Sequence, residues 1–268
     1  MTPIIGIGGQ AGAGKDTVAG MMMKLQPGSV SIAQADPIKW LGRYGFDFTE
    51  DQLWGPSENR NGLDRRYLKQ NGWDEAYNNL FGTKVAEQWL EEVGIGDVKS
   101  LEVWFDELES EFADSGTFSP RIMLQRLGTE YARSHNPAVW SELAIKRALK
   151  LLGGNCTYNR LHGIRTDYKT PLCPMVFITD VRFPNELIKI KTIGGKGLKV
   201  ASSELTVSTS HASEASLGQI PDFWWDVILY NNKQDGLDNL RTAVRKMYSY
   251  LVPQPFAQKT KPFVLGQE

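Results

Sequence analysis

The sequence predicts a three-layer α/β fold built on a five-stranded parallel sheet. Five short apolar runs, rich in β-branched residues, have the pattern of strands. They are mostly continuous rather than alternating, which suits strands buried on both faces. Helical patterns lie between these runs, and this alternation favours a parallel sheet with helices on both faces. The predicted strands are Pro3–Gly8, Ser29–Ala33, Met175–Thr179, Gly197–Ala201 and Val227–Tyr230.

The helices predicted between the strands carry apolar residues at the spacing of an amphipathic helix. They are Lys15–Lys24, Pro120–Ser134, Ala138–Leu152, Pro184–Ile193 and Leu237–Leu251. We therefore predict a core domain made of residues 1–35 and 175–252 and a helical region at residues 36–152. Residues 253–268 are expected to form a loosely packed tail.

The helical region contains an acidic insertion at residues 87–114. Ten acids and one base lie in it, around the helical patches Val85–Val93 and Leu101–Phe112. We interpret the acids as the solvated face of helices whose apolar seams are buried. An acidic interaction surface is the alternative. The seam residues are Trp89, Trp104, Phe105, Leu108 and Phe112.

The composition limits the partners of the chain. Its 268 residues include 30 basic and 31 acidic ones, so it lacks the positive charge of proteins that coat nucleic acid or bind anionic membranes. Its two cysteines form no C-x-x-C pair, which fits a reducing cytoplasm. No apolar run approaches the roughly 20 residues that cross a bilayer. We expect a cytoplasmic protein without a signal peptide.

The strongest motif is a glycine-rich turn that follows the first strand and opens a helix. Gly9–Lys15 reads GQAGAGK, the G-x-x-x-x-G-K spacing of a P-loop. Glycines let the backbone curl so that successive N–H groups point at phosphate oxygens, and the helix start adds partial positive charge. The lysine supplies a full charge to the outer phosphates of a nucleotide. The predicted phosphate-binding residues are Gly9, Gly12, Ala13, Gly14, Lys15, Asp16 and Thr17.

Asp16 departs from the general P-loop pattern, which has Ser or Thr there to hold magnesium. A carboxylate beside phosphates is repelled unless a cation lies between them. We therefore expect Asp16 to reach the metal or to cap the helix, and Thr17 to supply the hydroxyl. A dinucleotide-binding turn is the alternative, because residues 6–11 fit G-x-G-x-x-A, but the position of Lys15 favours the P-loop.

A second group of polar residues follows the strand predicted at Met175–Thr179. Ligands bind at the carboxyl ends of strands in open α/β sheets, so Asp180 is placed like the acid that holds a metal-bound water. Pro184 suits the first turn of the next helix, which brings Arg182 and Glu186 near the same strand end. We interpret these residues as a clamp for metal and phosphate. A capping and salt-bridge cluster at the helix start is the alternative.

Residues 153–174 are polar and flanked by glycines, and we predict a long mobile loop. Its basic residues Arg160, Arg165 and Lys169 outnumber its acids, which suits a lid that closes over phosphates and excludes water. A metal site is an alternative use of this segment, although its spacing fits no standard zinc motif. The ligands considered for such a site are Cys156, His162 and Cys173.

Several stretches in order along the chain resemble the deoxynucleoside monophosphate kinases of tailed bacteriophages. The GKDT ending of the P-loop and the sequence DVRFPNE are fairly specific, and the others are weaker alone. Together they span most of the chain except the acidic insertion and the tail. The stretches are Gly9–Thr17, Ala35–Lys39, Leu53–Asn61, Leu124–Arg133 with Trp140, Asp180–Glu186, His211–Glu214 and Trp225–Asn232.

The resemblance implies a P-loop kinase fold with a helical substrate-binding insertion and a lid loop. ATP and Mg²⁺ would occupy the P-loop, and a deoxynucleoside monophosphate (dNMP) would bind in the helical region and accept the γ-phosphoryl group. The acceptor phosphate is already ionised at neutral pH, so no general base is required. The resemblance also favours a homodimer in the cytoplasm, or in the host cytoplasm if the chain is phage-encoded.

Residue roles follow from the same resemblance. We expect catalysis to depend on Lys15 and Arg182, and the positive charge of the lid loop adds Arg160 and Arg165, which would act on transition-state charge. Magnesium would be organised by Asp16, Thr17, Asp180 and Glu186. The dNMP pocket would be lined by Asp36, Lys39, Arg60, Gln125, Thr129, Arg133 and Trp140. No role follows for His211 or Glu214.

Three other functions are left open by the sequence. A P-loop kinase for another small acceptor, such as dephospho-coenzyme A or a sugar acid, has the same phosphate site. A GTP-dependent switch is a second alternative, because Asn232–Asp235 matches the guanine-reading N-K-x-D pattern, although no convincing D-x-x-G sequence follows Met175–Thr179. A non-catalytic scaffold that binds ATP is the third.

Overall fold

The computed structural model describes residues 2–202 and 216–252, and it contains the parallel sheet that the sequence predicts. The strands are β1 (Ile4–Gly8), β2 (Val30–Ala33), β3 (Cys156–Asn159), β4 (Gly163–Thr166), β5 (Val176–Val181), β6 (Lys196–Ala201) and β7 (Val227–Tyr230). Five of them pair in parallel in the order β2-β5-β1-β6-β7. Each predicted strand forms one of these five.

β1 is the central strand, and its position decides where the P-loop lies. All its residues are buried, and Ile5 pairs with Phe177 of β5 on one side and with Lys196 of β6 on the other. Because the strands are parallel, their carboxyl ends meet at one edge of the sheet. The turn after β1 therefore lies beside the end of β5.

Helices cover both faces of this sheet or form a separate group inserted between β2 and β3. They are α1 (Lys15–Leu25), α2 (Asp36–Tyr44), α3 (Glu50–Trp54), α4 (Ser57–Asn61), α5 (Gln70–Phe81), α6 (Val85–Val93), α7 (Val98–Phe112), α8 (Pro120–Gln125), α9 (Ala132–His135), α10 (Val139–Leu152), α11 (Pro184–Thr192) and α12 (Gly236–Leu251). On one face α1 and α12 bury Met22 and Val244 against Phe177. On the other face α10 and α11 bury Ala148 and Leu187 against the sheet. The predicted α/β fold, with three layers, is confirmed.

The helices between β2 and β3 share an aromatic core of their own. Trp73 and Phe118 are in ring contact there, with centroids 4.7 Å apart, and Phe105 packs against Trp73. The apolar seams of α6 and α7 enter this core, since Trp89 and Phe105 are fully buried. Most acids of residues 87–114 are exposed on the opposite faces, which confirms their interpretation as a solvated surface.

A two-stranded hairpin occupies part of the segment 153–174, where the sequence predicts a loop. β3 and β4 pair antiparallel, with Tyr158 opposite Ile164 and Thr157 opposite Arg165. Side chains alternate across a strand, so the first pair packs on the core and the second pair is exposed. Strands of four residues show too little alternation to be recognised in the sequence.

Within residues 2–202 and 216–252, no helix combines the length and the apolar character that a membrane crossing needs. The stretch His211–Glu214 and the predicted tail 253–268 lie outside the described residues. The division into a core domain, a helical region and a lid stays a prediction.

Candidate active site

The turn between β1 and α1 has the curled backbone that phosphate binding requires. Gly9, Gly12 and Gly14 have positive φ angles of 147°, 79° and 89°, which residues with a side chain rarely adopt. A Cβ atom on Gly9 would lie 2.2 Å from the carbonyl oxygen of Val200 on β6, so only glycine fits there. α1 begins at Lys15, after the whole turn, and this favours a P-loop over a dinucleotide-binding turn.

Asn231, in the stretch Trp225–Asn232, holds this turn from the end of β7, a contact that the sequence does not predict. Its side-chain Nδ2 donates to the carbonyl oxygen of Ala13 at 2.8 Å. A Cβ atom on Gly14 would lie 2.4 Å from that nitrogen, so the hydrogen bond depends on glycine at this position. The backbone N–H of Asn231 donates to the carbonyl of Ala201 at 2.8 Å, which ties the contact to the sheet.

Lys15 lies between the P-loop and the end of β5. Its side chain is 7% exposed, and Nζ donates to the carbonyl oxygens of Gly9 at 2.9 Å and Gln10 at 3.0 Å. The same nitrogen is 3.9 Å from Oδ1 of Asp180. The ammonium group is therefore held at the mouth of the glycine-rich turn by two backbone oxygens and a carboxylate, with which a phosphate would have to compete.

Asp180 is placed by an irregularity of the sheet. Ile7 pairs with Thr179 and Gly8 with Val181, so Asp180 is the extra residue of a bulge in β5. Its φ angle of 66° is rare for a residue with a side chain, and such conformations cluster at functional sites.

The electrostatic surroundings of Asp180 favour its charged form. Burial by itself raises the pKa of this carboxyl group, but the positive charges of Arg182 and Lys15 outweigh burial and hold the pKa below its usual value. Nη2 of Arg182 lies 3.6 Å from Oδ1 of Asp180. The acid therefore carries its charge at neutral pH at the edge of the cleft.

Asp16 and Asp180 form a pair of like charges. Partial burial in the cleft wall and the negative charge of Asp180 raise the pKa of Asp16. A divalent cation held by these carboxylates would relieve this repulsion, and Mg²⁺ typically takes one or two carboxylates together with phosphate oxygens. Among the described residues no three acids, histidines or cysteines gather to hold a metal ion. The donor set therefore fits Mg²⁺ that arrives with a nucleotide, rather than a cage made by protein alone.

Glu186, predicted as a metal ligand, has different partners in the structure. Its Oε2 accepts the backbone N–H groups of Arg182 at 2.8 Å and Phe183 at 3.1 Å, and Oε1 accepts Nη2 of Arg133 at 2.8 Å. The carboxylate is almost fully buried and caps the start of α11. Because both oxygens already accept N–H groups, the arrangement favours the capping and salt-bridge cluster that the sequence left as the alternative.

Most predicted site residues line one cleft with a volume of about 1160 Å³. It runs from the P-loop past the ends of β2 and β5 to α3, α4 and α8. The predicted residues that line it are Gly12, Lys15, Asp16, Asp36, Lys39, Arg60, Gln125, Thr129, Arg133, Trp140, Arg160, Asp180, Arg182 and Glu186. Gly9, Ala13 and Gly14 belong to the turn at its edge. The elements that supply these side chains are far apart in sequence and meet only in the fold.

Arg165 and Thr17 are not brought to the cleft. Arg165 lies on the exposed face of the hairpin, since the alternation of β4 turns it away from the core side. Thr17 is exposed on the first turn of α1. The structure thus gives no support to a catalytic role for Arg165 or a metal contact by Thr17, and of the two arginines in the predicted lid Arg160 lines the cleft.

The helix that follows α8 widens into a π-helical segment at Arg126–Tyr131, and π-helical turns frequently occur at functional sites. Trp140 donates its indole N–H to the carbonyl oxygen of Gly128 at 2.8 Å. A Cβ atom on Gly128 would lie 2.7 Å from the side chain of Ile38, so α2 packs directly on this backbone. These contacts hold Gln125 and Thr129 along the cleft wall.

The sequence does not predict two further contacts at the cleft. Arg121, one of several arginines that the sequence offers for phosphate contact, lines the cleft and has Nε 2.5 Å from Oδ1 of Asn61. Tyr158 of the hairpin donates its hydroxyl to the carboxylate of Asp36. Both contacts join residues that are distant in sequence, so local patterns carry no signal of them.

The guanine-reading pattern at Asn232–Asp235 has a structural explanation. The backbone N–H of Asp235 donates to the carbonyl oxygen of Asn232 at 3.0 Å, and Nδ2 of Asn232 lies 3.3 Å from the carboxylate of Asp235. These bonds form the turn that leads into α12, and neither residue lines the cleft. A GTP-dependent switch is therefore not favoured.

The two thiols considered as zinc ligands each donate a hydrogen bond to a different backbone carbonyl. Cys156 donates to the carbonyl oxygen of Lys150 at 3.3 Å, and Cys173 to that of Met175 at 3.1 Å. Both are buried.

The chain is similar to a viral protein. No family model matches it. It is 24% identical over 234 residues to a protein of Acanthamoeba polyphaga mimivirus that is provisionally named deoxynucleotide monophosphate kinase. The alignment covers 86% of this chain and 89% of that relative. A match of this extent includes both the sheet and the helical region, and it comes from a giant virus rather than a bacteriophage.

Proposed function

We propose that this protein is an ATP-dependent kinase that transfers the γ-phosphoryl group of ATP to a deoxynucleoside monophosphate. The observation that carries the proposal is a single cleft in which a P-loop faces a second group of cationic side chains. The wide similarity to a mimivirus protein named for this activity supports a nucleotide as the acceptor.

The charge and the size of the cleft support two bound nucleotides. Seven cationic and four acidic side chains line it, an excess of positive charge that suits polyanions. Its volume of about 1160 Å³ exceeds the range of roughly 300–1000 Å³ usual for one small ligand. The cations are Lys15, Lys39, Arg60, Arg121, Arg133, Arg160 and Arg182, and the acids are Asp16, Asp36, Asp180 and Glu186.

Phosphoryl transfer requires in-line positioning of the reactants and neutralisation of their charge rather than covalent chemistry by the protein. The turn Gly9–Gly14 and Lys15 hold the donor phosphates, and Arg182, 3.6 Å from Asp180, is placed to contact the group in transfer. Asp16 and Asp180 would hold Mg²⁺, which would neutralise charge on the donor phosphates. The ionised acceptor phosphate attacks without a general base.

A panel of acceptors tests the proposal. ADP release from ATP is measured with each dNMP, each ribonucleoside monophosphate, dephospho-coenzyme A and a sugar acid, and with no acceptor. We expect stimulation by at least one dNMP far above the rate without acceptor. Turnover with dephospho-coenzyme A or the sugar acid alone would establish another small-molecule kinase. ATP binding without stimulation by any acceptor would indicate a non-catalytic scaffold.

A further inference from the structure

Three cationic side chains of the cleft are arranged around one tryptophan. Nζ of Lys39 lies 5.6 Å and Cζ of Arg160 lies 5.2 Å from the centroid of the Trp54 ring, within the range of cation–π attraction. Arg60 is held by the backbone on either side of this ring. Its Nη1 donates to the carbonyl oxygens of the preceding and the following residue at 3.2 and 2.9 Å. Trp54 therefore contacts or flanks all three cations.

The tryptophan is itself fixed by a buried carboxylate. Its Nε1 donates to Oδ1 of Asp36 at 3.3 Å, and Oδ2 of Asp36 accepts the backbone N–H of Ala33 at 3.0 Å and the hydroxyl of Tyr158. Asp36 is 6% exposed. Its two oxygens thus tie the indole to the end of β2 and to the hairpin. Asp36 has protein partners of its own, so it organises the pocket wall through Trp54.

The positive charges of these three side chains repel one another, and a bound anion would offset that repulsion. Burial lowers the pKa of Lys39, and the positive charge of Arg60 lowers it further, while the nearby acids Asp36 and Asp180 oppose this shift. Arg160 has an exposed partner in Glu50 at 3.4 Å. All three cations line the cleft. Planar guanidinium groups match phosphate oxygens in pairs, so a phosphate monoester suits this place.

We propose that Trp54 is the positioning residue of a phosphate-monoester subsite formed by Lys39, Arg60 and Arg160. Under the proposed function, on which this inference rests, the subsite takes the phosphate of the acceptor nucleotide. The P-loop and Lys15 take the phosphates of the donor. Trp54 acts through Lys39 and Arg160, which lie against its ring, and Asp36 sets the orientation of that ring.

Steady-state kinetics of four variants test the assignment. Trp54→Leu removes the ring, and we expect it to raise the KM for dNMP about tenfold while the KM for ATP stays unchanged. Trp54→Phe keeps a ring without the N–H group, and we expect it to restore part of the loss. Arg160→Gln changes an exposed side chain, so it should raise the KM for dNMP without harm to folding. Phe223→Leu, an exposed aromatic outside the cleft, is the matched control and should change neither constant.

Equilibrium binding separates failure of this inference from failure of the proposed function. Titration calorimetry follows dTMP, dGMP and inorganic phosphate binding in the absence of ATP, and ATP binding in separate titrations, for wild type, Trp54→Leu, Trp54→Phe and Arg160→Gln. Weaker binding of these probes by both variants supports the subsite even if no acceptor stimulates ADP release. Unchanged binding in Arg160→Gln, or equal loss of dNMP and ATP affinity in folded Trp54→Leu, overturns it. If Trp54→Leu does not fold, Arg160→Gln and Trp54→Phe decide.

Discussion

Nζ of Lys15 lies 3.9 Å from Oδ1 of Asp180, which joins the P-loop to the acid at the end of the adjacent strand. The lysine opens α1, and the acid stands in a bulge of β5. The two elements are distant in sequence, and β1 and β5 make them neighbours. Under the proposed function, a bound triphosphate would compete with Asp180 for the lysine, and a divalent cation would become the new partner of the acid.

Replacing Lys15 by alanine tests the phosphate site. The change removes a charge directed at the outer phosphates, and we expect turnover to fall by about 10³-fold or more. ADP release with ATP and dNMP at saturation measures the effect, and circular dichroism checks the fold. Lys24→Ala, on the exposed side of the same helix, is the control and should keep wild-type turnover. Near-normal activity of Lys15→Ala would refute the P-loop assignment.

The dependence on Mg²⁺ tests the paired carboxylates. Asp180→Asn removes one charge of the pair with Asp16, so the remaining oxygens bind a hard cation less well. We expect the Mg²⁺ concentration for half-maximal activity to rise about tenfold or more. Activity is titrated with Mg²⁺ at fixed ATP. An unchanged titration midpoint in this variant would remove Asp180 from the metal site.

Replacing Glu186 is expected to lower the stability of the fold and to leave the Mg²⁺ dependence unchanged. Its carboxylate accepts two backbone N–H groups and the guanidinium of Arg133, so Glu186→Gln leaves at least one buried donor without its acceptor. We expect a loss of about 1.5–3 kcal/mol in the free energy of unfolding, the size of hydrogen bonds to charged groups. Urea denaturation measures it. The Mg²⁺ midpoint should stay at the wild-type value, and a large shift would restore Glu186 as a metal ligand.

The sheet was predictable because its strands carry the signal themselves. Strands buried on both faces are continuous apolar runs, and each run here occurs at its predicted place. The hairpin was not predicted, because the alternation of buried and exposed side chains around Tyr158 and Ile164 extends over only a few residues. A pattern needs length to stand out from chance.

The site was predictable only where a motif is contiguous. The spacing from Gly9 to Lys15 defines the P-loop, and its backbone angles follow the glycines. The roles of Trp54, Asn231 and Tyr158 depend on contacts between distant elements, which no local pattern contains. The sequence left two roles open for Glu186, because a carboxylate at a helix start can bind a metal or cap the helix, and its hydrogen-bond partners favour the cap.

Asn231 provides a test of how the P-loop is held. Asn231→Ala deletes the hydrogen bond to the carbonyl of Ala13, whose net contribution is about 0.5–1.5 kcal/mol. If the bond orders the loop for phosphate, the KM for ATP rises by roughly two- to tenfold, while the KM for dNMP does not change. Asn232→Ala, the next residue, which bonds to Asp235 in the following turn, is the control. If Asn231→Ala and Asn232→Ala have the same KM for ATP, Asn231 has no part in ATP binding.

Asp64 predicts how stability depends on pH. Its carboxylate is 6% exposed and accepts Nη2 of Arg66 at 2.8 Å and Nε2 of Gln52 at 2.9 Å. Burial raises its pKa, but these hydrogen bonds outweigh burial and leave the pKa below its ordinary value. A carboxyl group whose pKa is lower in the folded than in the unfolded chain stabilises the fold at pH values above its unfolded pKa, which is about 4 for aspartate. That stability is lost as the pH falls through the folded pKa.

The variant Asp64→Asn makes this dependence measurable. At pH 7 we expect it to be less stable than wild type by about 1.5–3 kcal/mol, since hydrogen bonds to a charged group are lost. The gap should close as the pH falls below about 4, because wild type then loses the same charge. Urea denaturation at a series of pH values gives both curves. Asp74→Asn, exposed on α5, controls for the change in net charge, and a gap for Asp64→Asn that stays constant down to acid pH would contradict the prediction.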